Sequence, residues 1–259
     1  MKNKRWISLL FLVSVLLYGC QRHETVSSDS TVISEVSASV DSESSQTNQS
    51  SSETVPVPAP EMFSPNDLLK SVKEGDLGQV EKILTDKDYN IEEIDHEGNT
   101  PLNVAVHSNQ IEIAKRLIDH GADINRQNTI SDSPYLYGGA EGRTEILAYM
   151  LSKGEPDLSK VNRFGGNALI PAAEKGHLDT VRLLLDDGRV EVNFQNNYGY
   201  TALIETVALN DGSQLYQDIA KALLDHGASK SLRDNSGKSA EDYAANYGYQ
   251  GMTQLLQNY

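Results

Sequence analysis

The stretch "DHEGNTPLNVAVHSNQIEIAKRLIDHGADIN", residues 95–125, decides the fold. Thr100 offers a hydroxyl ahead of Pro101, whose missing N–H is harmless at the first position of a helix, so "TPLNVAV" reads as a capped helix start. Ser108 to Gln110 form a polar break. Past it, Ile111, Ala114, Leu117 and Ile118 fall on one face of a second helix. Gly121 ends that helix in the left-handed conformation that glycine tolerates. "DINRQ" leads away in extended form, and Gly98 or Gly165 supplies a turn between units. Helix, turn, helix and extended finger make a unit that cannot bury its apolar face alone.

The partners for that face recur along the chain. Paired aliphatics stand at Ile83-Leu84, Leu117-Ile118, Met150-Leu151, Leu184-Leu185, Leu223-Leu224 and Leu255-Leu256, with steps of 34, 33, 34, 39 and 32 residues. Gly121, Gly154, Gly188 and Gly227 keep step behind them. Two independent markers on one period indicate a stack of repeats whose core lies between neighbours. The 39-residue step places an insertion at "LNDGSQLYQD", Leu209 to Asp218, expected as an outer loop between the two helices of a unit.

With these residues in place, the quoted stretch resembles an ankyrin repeat with nearly all its consensus positions filled. The resemblance covers residues 64–259 as six units and implies an all-α solenoid of helix-turn-helix units with β-hairpin-like fingers. The first unit, from Ser64, lacks the Gly-Ala end and carries Glu74, Asp76, Gln79, Glu81 and Lys82, as suits a polar N-terminal cap. The last, from Asn235, lacks the threonine-proline start and should be the C-terminal cap. "NRFGGNALIPAAEKGHLDTVRLLL" and "GYTALIETVALNDGSQLYQDIAKALLDHGAS" are further similar to a bacterial subgroup of small ankyrin proteins with Arg-Phe-Gly-Gly, Glu-Lys-Gly-His and Leu-Asn-Asp-Gly motifs. Ankyrin stacks usually bind proteins on the surface formed by finger tips and first helices. That resemblance points to Tyr135, Tyr137, Arg143, Arg163, Phe164, Tyr198 and Tyr200 as an aromatic and cationic strip, with Asn210 and Asp211 on the inserted loop; the alternative for Tyr135 and Phe164 is packing between neighbouring repeats. Aromatic and arginine side chains often anchor interfaces.

The first 63 residues read differently. Lys2, Lys4 and Arg5 precede an apolar run from Trp6 to Tyr18, the order of an export signal. Thirteen residues at about 1.5 Å each fall short of the ~30 Å hydrocarbon core, which argues against a permanent span. The chain's one cysteine, Cys20, follows directly and can form no internal disulfide. Leu17-Tyr18-Gly19-Cys20 resembles the lipobox of bacterial lipoproteins, with Tyr18 in place of the usual small or aliphatic residue. The resemblance implies a signal peptide over 1–19, a diacylglyceryl anchor on Cys20 and a location outside the cytoplasm. Two acyl chains suffice for stable attachment. From Glu24 to Pro60 there are 12 Ser and 4 Thr in 37 residues, without Lys, Arg or an aromatic. This composition is expected to stay disordered, so residues 20–63 read as a tether with a typical reach of roughly 35–40 Å. Its length favours a Gram-positive envelope.

Charge and motif content narrow the function classes. The formal net charge is −15, and from Cys20 onward 19 basic residues face 37 acidic ones, which disfavours binding to nucleic acid and to anionic lipid. The six histidines show no metal-ligand spacing, and no phosphate loop or nucleophile elbow is present, so no cofactor is implied. Glu174, His177 and Asp179 form the tightest titratable cluster. In ankyrin repeats that histidine position commonly holds the loop. The sequence therefore predicts a non-enzymatic module that binds a protein at the cell envelope. Alternatives are a receptor for a solute or cell-wall fragment, and, behind it, a hydrolase.

Overall fold

The computed structural model describes residues 63–259. Cys20, the leader and most of the tether lie outside the described residues. Within them are twelve α-helices and no strand. Six first helices, α1 (Asp67–Glu74), α3 (Pro101–His107), α5 (Pro134–Ala140), α7 (Leu169–Glu174), α9 (Ala202–Ala208) and α11 (Ala240–Tyr247), pack in file. Six second helices, α2 (Leu77–Leu84), α4 (Ile111–Asp119), α6 (Thr144–Lys153), α8 (Leu178–Asp187), α10 (Gln214–Asp225) and α12 (Gln250–Asn258), form a parallel layer against them.

The first helices start as expected. The hydroxyls of Thr100, Ser133, Thr201 and Ser239 accept from the backbone N–H three residues on, and Asn167 accepts from Leu169 and Ile170. The first unit has no such residue. Instead Glu93, from the segment that follows α2, reaches back and accepts from the N–H groups of Asn66 and Leu69 at 2.6 and 2.7 Å. The core lies between the layers. Two residues after the caps of α3, α5, α7 and α9 stand Leu102, Tyr135, Leu169 and Leu203, and opposite them Ile83, Leu117, Met150, Leu184 and Leu223, all buried. Each fully buried aliphatic side chain contributes about 1.5–3 kcal/mol.

The fingers are hairpin-like without being strands. Five of them repeat one construction: Asp95, Asn128, Asn162, Asn196 and Asp234 each accept from the backbone N–H two and four residues on through Oδ1. The same residues donate their own N–H across the turn to Asn99, Asp132, Gly166, Tyr200 and Lys238. Neighbouring fingers join through Thr129 N to Glu97 O, Asn197 N to Phe164 O and Asn235 N to Tyr198 O. Between the second and third fingers no such backbone bond is present; there Arg163 pairs with the buried Asp132 at 3.2 Å, and Gln127 Nε2 donates to Val161 O at 2.8 Å.

Two details correct the sequence reading. Gly121, Gly188 and Gly227 are left-handed, but Gly154 is extended at φ −136°. Its lack of a side chain serves packing, since a Cβ there would lie 3.1 Å from Ile124 Cδ1. The insertion is also shorter as a loop than Leu209 to Asp218. Only Leu209 to Ser213 are loop, and the residues from Gln214 lengthen the start of α10.

Two adjacent glycines on α5 separate propensity from packing. A Cβ on Gly139 would lie 2.8 Å from Ala168 Cβ and 2.9 Å from Ala168 O, whereas one on Gly138 meets Leu147 at an ordinary 3.6 Å. Gly139→Ala is expected to destabilise by about 1–3 kcal/mol in urea unfolding. Gly138→Ala is expected to be neutral or stabilising by up to about 1 kcal/mol.

Candidate protein-binding surface

The face made by finger tips and first helices carries the residues singled out in the sequence, in three distinct situations. The finger tips present Ile130, Phe164 and Tyr198 at the same position of successive fingers, with exposures of 49 %, 36 % and 54 %. Arg163 holds its guanidinium 4.9 Å from the Phe164 ring centre while pairing with Asp132. Ile130 was not foreseen, although its register with Phe164 and Tyr198, steps of 34, was readable.

Tyr135 does not belong to this surface. It stands where Leu68, Leu102, Leu169 and Leu203 stand in other units, is 4 % exposed, and burial pushes its phenol up to about 12. Its ring borders a cavity of about 280 Å³ shared with Leu158, Lys160, Arg189, Val190 and Phe194, between the segments leaving the second helices. The strip therefore does not include Tyr135. Tyr137, two residues on, does reach the first-helix face, half-buried with its ring 3.8 Å from that of His107.

A second group serves the stack itself. Near the end of four first helices a backbone carbonyl accepts from a side chain of the next unit: Gln110 donates to Val72 at 2.8 Å, Arg143 to His107 at 3.1 Å, His177 to Ala140 and Asn210 to Glu174 at 3.0 Å; Tyr249 donates in the same way to Asn210 in the inserted loop, at 2.6 Å. Arg143 and Asn210 are therefore structural in their main contact. The His177 ring also sits where a Cβ on Gly142 would be, 2.6 Å from Nδ1, and burial lowers its pKa. Asp179 has a side chain 86 % exposed on α8 and pairs loosely with Arg182 at 3.9 Å. No hydrogen bond or ion pair joins Glu174, His177 and Asp179. Asp211 accepts from Ser213 N, which holds its carboxyl below the usual range.

The third situation was missed in the sequence. Counting from each cap, the fourth residue is Val104, Tyr137, Pro171, Glu205 and Tyr243 in successive units; the seventh is His107, Ala140, Glu174, Ala208 and Asn246. These two rows pave the first-helix face. Toward its C-terminal end the tyrosines run together: Tyr198 to Tyr200, Tyr200 to Tyr243, Tyr243 to Tyr247 and Tyr247 to Tyr249 have ring centres 6.3, 6.4, 5.9 and 5.4 Å apart. Beside them Glu205 is 7 % exposed and accepts from Asn196 Nδ2 at 2.8 Å. Burial, with Glu174 adding a like charge, pushes its carboxyl up to about 8. Burial raises Glu174 as well.

A carboxyl whose folded pKa exceeds its ordinary 4.5 stabilises the fold fully below pH 4.5 and loses that contribution as pH rises through about 8. Glu205→Gln keeps the Asn196 bond without the charge. Its unfolding free energy, read from urea midpoints at each pH, is expected to overtake that of the parent progressively between pH 4.5 and about 8, by an amount on the order of a few kcal/mol from roughly 1.4 kcal/mol per unit. Parallel midpoints across that range would show that Glu205 titrates normally.

Comparison with known proteins bears on this geometry. The family described as "Ankyrin repeats (3 copies)" matches residues 63–128 and 136–234. The ankyrin repeat protein YahD of Escherichia coli (strain K12) is 38 % identical over 192 residues, 74 % of this chain and 94 % of that protein. Among crystal structures, the ankyrin repeat protein EF0377 is 60 % identical, covers 76 % of this chain and all of its own, and superposes with a TM-score of 0.76. An ankyrin repeat domain from Acinetobacter baumannii AYE, ABAYE2397, is 42 % identical, covers 75 % of this chain and 98 % of its own, with a TM-score of 0.72. Matched over residues 63–128 and 136–234 by the family's repeats and over 74 % of its length by a relative 38 % identical to it, the chain belongs to the ankyrin-repeat family.

Proposed function

We propose that this protein is a protein-binding module held by a lipid on Cys20 at the outer face of a bacterial membrane. The observation that carries the binding part is the set of aromatic side chains left exposed on an acidic stack, Phe164 and Tyr198 at the finger tips and Tyr247 on α11. Tyr200, Tyr243 and Tyr249 pack on the core, but Phe164, Tyr198 and Tyr247 are more than a third exposed, and exposed aromatics at a rigid surface are the residues from which interface hot spots are built. The ankyrin family supplies the same expectation, since its stacks are interaction modules. The anchoring part rests on the order of charges, apolar run and Leu17-Tyr18-Gly19-Cys20 in the sequence. Residues 20–63 then serve as the tether between lipid and stack.

Crosslinking in intact cells, with mass spectrometry of the mature N-terminus, tests both parts. A diacylglyceryl-modified Cys20 and a recurrent protein crosslinked through the fingers are expected, and Cys20→Ala should move the protein out of the membrane fraction. The double variant Phe164→Ala/Tyr198→Ala should abolish capture while leaving thermal unfolding nearly unchanged. An unmodified N-terminus overturns the anchor. Recurrent absence of a protein partner overturns the binding reading in favour of a solute or cell-wall-fragment receptor.

A further inference from the structure

The cavity beside Tyr135 brings together two polar groups that the fold does not use. Tyr135 fills a place held by Leu68, Leu102, Leu169 and Leu203 in other units, so the core there needs an apolar side chain and no hydroxyl. A buried phenol ordinarily finds a hydrogen-bond partner. Tyr135, although 4 % exposed, has none among the described residues. Its oxygen is not sealed either, since the buried side-chain atoms without a partner among those residues are His107 Nε2, Gln110 Oε1 and Arg143 Nε. What the side chain borders is the cavity of about 280 Å³.

Lys160 lines the same cavity. Its Nζ donates to Asn125 O at 2.8 Å, which leaves two N–H groups, and it forms no ion pair among the described residues. Arg126, likewise two residues ahead of its finger's turn asparagine, pairs with Glu92 at 3.4 Å. Asp157, close to Lys160 in sequence, has its Oδ1 engaged by Ser159. Two further charged residues line the cavity. Arg189 has its guanidinium on Leu151 O, Gly154 O, Asp187 and Glu155, while Glu191 is exposed and its carbonyl accepts from Asn167 Nδ2 at 3.0 Å. Leu158, Val190 and Phe194 supply apolar wall. Leu158 is exposed where Ile124, its counterpart one repeat earlier, is buried, so the cavity meets solvent at that edge. A dry apolar cavity of about 150 Å³ holds benzene, so this one has room for a ring or branched chain bearing a short acid arm.

We propose that this cavity binds a small organic carboxylate with an apolar body, its oxygens received by the Lys160 ammonium and the Tyr135 hydroxyl and its body by Leu158, Val190 and Phe194. A carboxylate only accepts hydrogen bonds, and these two groups have donors to give. The ammonium makes the bond charge-assisted, which an amide or alcohol of the same shape cannot match. Apolar walls with a few convergent polar groups are the usual make-up of small-molecule sites. The proposal goes beyond the protein-binding reading, because neither Phe164 nor Tyr198 lines this cavity.

The test titrates the full chain in a calorimeter with benzoate, 3-phenylpropanoate and 4-methylpentanoate, each beside its primary amide. At least one acid is expected to bind about tenfold or more tighter than its amide. Tyr135→Phe removes the hydroxyl alone, and should weaken that acid by about tenfold while the thermal midpoint holds or rises. Lys160→Met keeps the stem and should bring acid and amide to equal affinity with a cooperative thermal transition retained. Lys160→Gln does the same with a donor left for Asn125 O. Lys115→Met, on α4, should leave the preference intact, as should Phe164→Ala/Tyr198→Ala. Three acids no tighter than their amides, an acid affinity unchanged in Tyr135→Phe or in the Lys160 variants, or an equal loss in Lys115→Met would overturn the proposal. Acid binding that survives Phe164→Ala/Tyr198→Ala while protein capture is lost supports both readings as separate sites. Capture of a protein through the fingers with no acid preference removes this site and leaves the protein-binding reading standing.

Discussion

Near the end of four first helices in this stack a backbone carbonyl accepts a hydrogen bond from a side chain of the next unit. Gln110, Arg143, His177 and Asn210 perform this one task with four different side chains, and Tyr249 repeats it on the loop carbonyl of Asn210. The bond does more than fill an acceptor. It fixes where each second helix begins relative to the preceding first helix, and so fixes the register in which Leu102, Leu169 and Leu203 meet the aliphatics of the second layer. Without that register the finger rows and the first-helix rows would not form, because both are defined by counting from the caps.

The ladder also explains which side chains looked like chemistry and are not free for it. Arg143 has its guanidinium on the His107 carbonyl, and His177 has its ring against Gly142 and the Ala140 carbonyl. At the insertion, Asn210 bridges to Glu174 while Tyr249 closes over Gly212, so a loop with room for variation is clamped from the unit behind it. What remains available on this face is aromatic and acidic.

The repeat, its caps and its glycine punctuation were legible in the sequence because backbone geometry demands particular residues there. The candidate surface was only half legible. Phe164, Tyr198 and Tyr200 stand near the finger turns, where local sequence already implies exposure or partial exposure. Tyr135 was misplaced because its burial depends on its offset from Ser133, at a position where a tyrosine replaces the usual leucine. Glu205 was overlooked for the converse reason: a glutamate in a short helix reads as solvated, and only the Asn196 finger folded over it shows that it is not. Gly154 followed the period of the other repeat-ending glycines while obeying a different constraint, the nearness of Ile124. Position relative to the neighbouring unit decided each of these cases, and a single unit's sequence does not contain it.

The second and third fingers face one another without the backbone bond that joins the other neighbours, and a half-exposed arginine paired with a buried aspartate spans that place. Consider the stack as a spring loaded from its two ends. Hydrogen bonds between ordered backbone groups resist separation stiffly, whereas an ion pair whose arginine stays half-exposed is partly screened by salt. Strain applied along the fingers would therefore concentrate at the Arg163–Asp132 seam, dividing the row of finger tips into two stiff halves: Ile130 on one side, Phe164 and Tyr198 on the other. Curvature at this seam would then set the distance between Ile130 and its two companions, and ionic strength would tune it.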